Sequence, residues 1–573
     1  MTTSMTRSPV PAALLDESAT LGGALTALAE RFPDWQCLTV LDRHGHEERR
    51  TVGALCERAR RLQTAFTLRG VRAGDFVVLA LPTGPEIAAA YFGVMLAGGV
   101  PGLLATPSNR LANPHAYASR VGAILGDARA RLLYCDASIA PLFRGESAAL
   151  LGPAAILTPE DVGDPAPAAR PAIPDADHPA TVQYSSGSTG TPKGILLTHR
   201  AMLNNVRDVR DGLGLTAADV SVNWIPLYHD MGLIDAFLLP FLVGCPTILI
   251  PTLDFMREPS LWLRAMHRHR GTISWAPNFA YTLCAKRVPE EELAGLDLSS
   301  WRIAINAAEP VLADTVDAFT RRFAPYGFRP EAMTPAWGLA ENVTIATAHP
   351  VGEPPRVEHL DRAALASEGV ARPTGADGLP SVAIGRCLPR CSVEIRDGAG
   401  SPLPDRHVGT VWLRTDSLFS GYHGDPALTA RTLVDGWLDT GDRGYVDGGD
   451  LYFIARDKDL IVMGGEKHAP HDIETIINAI PGVREGCTIA FGVLNEARGT
   501  EELAAVIETR VEGAEAQAAL GEAVRRAVTE RTGLALRHVV LVPPGGIEKT
   551  SSGKLARQAT RRRYASAIEP QKP

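Results

Sequence analysis

Residues 184–200 read YSSGSTGTPKGILLTHR. Glycines at 187, 190 and 194, a run of hydroxyls and the lone Lys193 suggest a phosphate cradle. A Walker loop needs four residues between its first glycine and a Gly-Lys-Ser/Thr ending, followed at once by a helix. Here Lys193 follows Pro192 and precedes Gly194, the hydroxyls come before the lysine, and ILLT is β-like. The stretch therefore predicts strand–loop–strand, with glycines allowing close backbone approach and N–H and O–H groups facing phosphate oxygens. A plain Gly/Ser surface turn is the alternative, and a P-loop phosphotransferase fails on this grammar.

The chain around it has 573 residues, too many for one hydrophobic core. Apolar residues make up 45% and charged residues 21%, as in ordinary globular proteins. A net charge of −8 without a long basic run argues against nucleic acid or an anionic membrane surface as main partner. The N-terminal segment lacks a signal-peptide pattern. Residues 234–251, IDAFLLPFLVGCPTILIP, are interrupted by prolines and read as buried core rather than a membrane span. Of eight cysteines only Cys387 and Cys391 lie close in sequence, so no zinc set is complete and reduced cytoplasmic thiols are expected.

Apolar runs such as DFVVLAL and ARLLYCD alternate with helical patterns such as PEIAAAYFGVMLAGG, which predicts α/β layering. Residues 153–179 read as a surface connection, and residues 350–380, rich in Pro and Gly, carry the helical fragment HLDRAALASEG. In the last hundred residues, Ile473, Ile476, Ile477 and Ile480, and then Leu520, Val524 and Val528, fall at helical spacing, with Gly533 as a helix stop. The strand-like CTIAFGV and LAAVIET run between them, which predicts a small α+β domain.

Four further segments follow in order: PAWGLAEN (335–342), WLDTGDRGY, ARDKDLIVMGG and GIEKTSSGKLAR. With the opening loop they resemble the motifs of the adenylate-forming superfamily, over roughly residues 180 to 560. WIPLYHDMGLI (224–234), APNFAYTLC (276–284) and LDLSSWRIAINAAEPV (296–311) resemble one branch, the fatty acyl-AMP ligases. That branch is marked by an insertion, for which HLDRAALASEGVARPTG (359–375) is the candidate. The resemblance implies a large N-terminal α/β domain of layered mixed sheets, residues 1–456, a hinge at 457–459, and a small mobile α+β lid, residues 460–573.

It also implies ATP and Mg²⁺ as cofactors and a fatty acid as substrate. The phosphate loop would be Ser185, Ser186, Gly187, Ser188, Thr189, Gly190, Thr191 and Lys193. Adenine would lie between the Ala307, Ala308, Glu309 and Pro310 backbone and the ring of Trp337, where relatives usually have tyrosine. Gly338, Leu339 and Ala340 lead to Glu341, the metal ligand, and one carboxylate suffices because Mg²⁺ fills its shell with water and phosphate oxygens. Asp442 would accept the ribose hydroxyls, or merely cap a turn. Arg456 would support ribose or α-phosphate, and Lys458 is the hinge. Lys554, Glu341 and His229 are the catalytic set: Lys554 bridges carboxylate and phosphate, and His229 orients the acid unless it is only core-packed. Asp230, Met231, Gly232, Asn278 and Phe279 would line the acyl site.

The implied activity is acyl-AMP formation with pyrophosphate release, then transfer to the phosphopantetheine thiol of an acyl carrier protein, for lipid-like natural products. An acyl-CoA synthetase shares every one of these residues. A catalytically silent adenylate- or lipid-binding regulator would be expected to have lost Lys554, Glu341 or Lys193. Ala469 and His471 depart from the branch's usual residues, which bears on carrier docking.

Overall fold

In the computed structural model the strand Pro179–Ser185 runs antiparallel to Lys193–Thr198, with Ser185 opposite Lys193. Both strands of the strand–loop–strand expectation are present, and the short run that starts with β-branched Ile195 suits a strand. The structure describes residues 10, 13–107, 114–143, 145–168, 172, 174–185, 193–463, 466–495, 500–549 and 554–568. Ser186, Gly187, Ser188, Thr189, Gly190 and Thr191 lie outside the described residues, as does the side chain of Ser185.

Among the described residues that hairpin belongs to a seven-stranded sheet, joined by the parallel strands Val100–Leu103, Phe76–Ala80, Leu132–Cys135 and Ala155–Leu157. A nine-stranded sheet carries Ser221–Asn223, Ile273–Ala276, Ile303–Asn306 and Met333–Gly338 side by side in parallel. Helices cover these sheets; from Ile87 to Leu96 the helix Pro85–Leu96 is buried throughout, which accounts for its apolar run. A five-stranded sheet follows, with Cys391–Arg396, Gly409–Thr415, Trp437–Asp447 and Asp450–Arg456 antiparallel in meander order.

Beyond one 3-10 turn, Asp457–Asp459, comes a smaller unit. Its sheet orders Val483–Asn495, Thr500–Thr509 and Leu536–Val542. Ile473, Ile476 and Ile477 from one helix, and Leu520, Val524 and Val528 from another, share a buried cluster with that sheet. Gly533 ends the second helix at φ 73°, a left-handed cap that glycine adopts without strain.

Two segments differ from their sequence reading. Residues 153–179 are not simply a surface link, since Ala155–Leu157 extends the seven-stranded sheet and Thr158 with Asp161 closes a capping box. In residues 350–380 a hairpin, Val357–Leu360 with Leu379–Val382, encloses a π-helical turn at Ala364–Glu368 instead of an α-helix. Leu360, Ala371 and Leu379 of this excursion cluster with Tyr445, Tyr452 and Ala455 of the large body and with Ala469 beyond the turn, while Leu365 and Leu460 pack on the same cluster. Residues 234–250 are buried core, as the prolines suggested, and no described helix is long and apolar enough to cross a membrane.

Candidate active site

Candidate residues follow the C-terminal ends of the parallel strands in the nine-stranded sheet, where ligand crevices in α/β sheets commonly lie. After Ser221–Asn223 the chain reaches His229 and Asp230 and enters a buried π-helix, Met231–Leu238. Wide π turns tend to occur at functional sites. Gly232 is required at its start, because a Cβ there would fall 2.1 Å from the Pro226 carbonyl oxygen.

His229 Nδ1 lies 2.5 Å from Asp230 Oδ1, which also accepts the Met231 N–H at 2.7 Å. His229 Nε2 lies 3.1 Å from Lys554 Nζ. One tautomer suits both ends: a proton on Nδ1 directed at Asp230, and a lone pair on Nε2 facing the ammonium. Lys554 therefore reaches from the smaller unit into the large one.

Burial pushes the Lys554 ammonium below the ordinary lysine value of 10.5, Asp230 and Glu309 oppose this, and Arg456 adds to it. Asp230 ends below the usual carboxylate range: burial works against its charge, but His229 and Lys554 outweigh that. Glu309 is raised by burial, although its Oε1 accepts the Phe279 N–H. A role that needs the Lys554 cation is present below its folded pKa and lost above it. The pH profile of pyrophosphate release is therefore expected to have an alkaline limb below 10.5. Asp230→Asn should move that limb lower still, since the carboxylate helps hold the proton; a limb unmoved by the substitution would refute the coupling.

Adjacent strands carry the residues expected to face a nucleotide. Ala307 follows Ile303–Asn306, and Ala308 adopts φ 71°, an uncommon backbone for a residue with a Cβ. Trp337 lies on Met333–Gly338, and its indole Nε1–H donates to Asp442 Oδ2 at 2.8 Å. Trp337 thus brings a hydrogen bond as well as a ring. Arg456 Nε lies 3.3 Å from Asp442 Oδ1, and Asp442 holds the guanidinium charge firmly in place. Gly338 must be glycine: a Cβ would fall 2.1 Å from the Thr344 carbonyl oxygen. Leu339 and Ala340 then pass into a 3-10 turn, Ala340–Asn342, that presents Glu341.

Tyr422, which sequence reasoning missed, donates its hydroxyl to Glu341 Oε1 at 2.8 Å, and its ring lies 5.5 Å from Lys193 Nζ. The aromatic between glycines in SGYHG was the available signal. Also missed was a buried bridge behind the site. Thr344 Oγ1 lies 3.0 Å from Asp235 on the π-helix and 2.6 Å from Asn205 Oδ1. Burial raises the Asp235 carboxyl well above its ordinary range. The bridge couples the His229 segment to the loop after Glu341.

Asn278 is held by the protein itself: its amide donates to Thr315 Oγ1, and its Oδ1 accepts from Asn306 and from the Leu312 N–H. The Phe279 ring meets Trp224 edge-on at 5.9 Å. Lys458 sits in the exposed turn between Asp457 and Asp459. Among the described residues no group of three or more His, Cys, Asp or Glu could hold a metal ion.

The profile of the AMP-binding enzyme family matches residues 25–423. The chain belongs to that family. Within it the similarity is to the fatty acyl-AMP ligases. It is 33% identical over 557 residues to the long-chain-fatty-acid–AMP ligase FadD26 of Mycobacterium marinum, covering 92% of this chain and 93% of that one. It is 33% identical over 537 residues to the medium-chain-fatty-acid–[acyl-carrier-protein] ligase JamA of Moorena producens, covering 89% of each. A solved structure from work on fatty acyl-adenylate ligases of E. coli and L. pneumophila superposes with a TM-score of 0.91 at 32% identity, over 98% of this chain and 99% of that one. The large body followed by a small C-terminal unit is the architecture of this ligase family.

Proposed function

We propose that this ligase activates a fatty carboxylic acid as acyl-AMP and then passes the acyl group to the phosphopantetheine thiol of an acyl carrier protein. The observation that carries the reading is the contact of Lys554 with His229 across the two units. A carboxylate oxygen attacks the α-phosphorus of ATP, the bond from that phosphorus to the β-bridging oxygen breaks, and pyrophosphate leaves. Two anions must meet in line, so positioning and charge neutralisation do most of the work.

His229, held by Asp230, orients the acid. Phe279, Met231 and Gly232 border the acyl chain, and Asn278 keeps that wall in register. Ser185 to Thr191 and Lys193 hold the β- and γ-phosphates. Ala307 to Pro310 and Trp337 enclose adenine. Asp442 Oδ1 is buried without a hydrogen bond, which suits it to a ribose hydroxyl beside Arg456. Glu341 fits Mg²⁺ because Tyr422 fixes its carboxylate and hard oxygen donors suit that ion. Bound there, Mg²⁺ would neutralise phosphate charge.

Residues 457–459 serve as the hinge between a body of residues 1–456 and a lid of 460–573, with Lys458 at the pivot. The carrier-protein acceptor is supported by the excursion around residues 359–375, which packs on Leu460 and Ala469 where the lid begins. The eight thiols, all free, suit a reducing cytoplasm.

The test is a pyrophosphate-release screen over acids of graded chain length, with acyl-AMP trapped, followed by competition between a phosphopantetheinylated carrier protein and free CoA. Acid-dependent pyrophosphate and preferential carrier acylation are expected. Rapid acyl-CoA formation would make CoA the acceptor, and ATP binding without acid-dependent pyrophosphate would end the enzyme reading.

A further inference from the structure

The lysine loop begins directly after the strand Leu536–Val542. On the neighbouring strand Thr500–Thr509, Glu508 stands opposite Val542 and is fully buried. A carboxylate in that position carries a large desolvation cost unless donors surround it. Its Oε1 accepts the backbone N–H groups of Gly545 and Ile547, each at 3.0 Å, and its Oε2 pairs with Arg484. The two amides belong to the first limb of the loop.

Further along, Lys549 bridges Leu555 in antiparallel fashion, and the Ala556 N–H donates to the Glu548 carbonyl at 2.9 Å. The returning limb is pinned by Arg557, which pairs with Glu474 and donates to the Ala490 carbonyl. Lys554 thus projects from a hairpin clamped on both sides, and Glu508 is the only charged side chain gripping the outgoing limb through backbone amides among the described residues.

We propose that Glu508 is a positioning residue for the adenylation step: it fixes the height of the lysine loop above the sheet and so the distance of Lys554 from the acid. It touches no substrate. The inference rests on the acyl-adenylation reading above. Misplacing a reacting group by about 1 Å costs on the order of 10²-fold in rate. If the lid turns about 457–459 before the thiol enters, as proposed above, Lys554 has left the site by then and thiol transfer from acyl-AMP is spared.

The experiment compares Glu508→Ala, Glu508→Gln and Arg484→Met in the full-length protein. It follows pyrophosphate release from acid and ATP, transfer to a carrier thiol from supplied acyl-AMP, and amide hydrogen exchange across residues 543–557. Glu508→Ala should lower kcat for pyrophosphate release by about 10- to 100-fold, leave the KM for ATP and the transfer step near wild type, and speed exchange at Gly545 and Ile547. Glu508→Gln keeps a carbonyl oxygen for both amides and should restore most of the rate, whereas Arg484→Met strips the buried carboxylate of its cation, loosens the same clamp and should slow pyrophosphate release in the same direction as Glu508→Ala. Normal adenylation by Glu508→Ala, unchanged exchange, or a parallel fall of both half-reactions would overturn the proposal. So would a Gln variant as slow as Ala. A wild-type protein that releases no pyrophosphate with any acid would instead remove the activity itself, and this role of Glu508 with it.

Discussion

Lys554→Ala is expected to lower ATP- and acid-dependent pyrophosphate release by about 10²- to 10³-fold, the usual cost of removing one preorganised charge from a transition state. The ammonium is 3.1 Å from His229 Nε2 and close to Asp230 and Glu309, the place where the proposed reaction brings carboxylate and phosphate together. ATP binding should change little, because Trp337, Asp442, Arg456 and Lys193 all lie on the large body. The clean measurement separates the steps: pyrophosphate release collapses while nucleotide affinity by calorimetry is retained. Near-normal release from the Ala variant would deny the lysine its role.

Glu341→Ala should have an effect of similar size, about 10²-fold or more on kcat, with a shifted Mg²⁺ dependence. The substitution removes the carboxylate proposed to face Mg²⁺ and also leaves the Tyr422 hydroxyl without its acceptor. Glu341→Gln keeps that hydrogen bond but not the charge. If Gln and Ala are equally slow and both require more Mg²⁺, the charge matters; if Gln restores activity at ordinary Mg²⁺, Glu341 acts through Tyr422 alone. Titrating pyrophosphate release with Mg²⁺ decides between these outcomes.

Much of this site could be read in the sequence because its parts lie in short local motifs whose backbone needs are strict. Gly232 and Gly338 each occupy a spot where a Cβ would overlap a carbonyl, so the motif letters report sterics as well as chemistry. The strand after Lys193 was legible from Ile195 to Leu197, a short apolar run of strand length that begins with a β-branched residue. Tyr422, Asp235 and Glu508 were not legible. Each acts on a partner more than 30 residues away in sequence, and such pairings are set by packing, which one sequence does not display. The turn at Ala364–Glu368 was readable as helical but not as π-helical, because the register of its hydrogen bonds depends on the hairpin that encloses it.

The apolar patch shared by Leu360, Leu365, Leu379, Leu460 and Ala469 has a mechanical consequence. On the proposed reading, a turn of the small unit about 457–459 would work against these contacts, a clutch whose grip follows the strength of apolar contact. Because that strength fades on cooling, the proposed swing is expected to be held more firmly by this patch in the warm than in the cold.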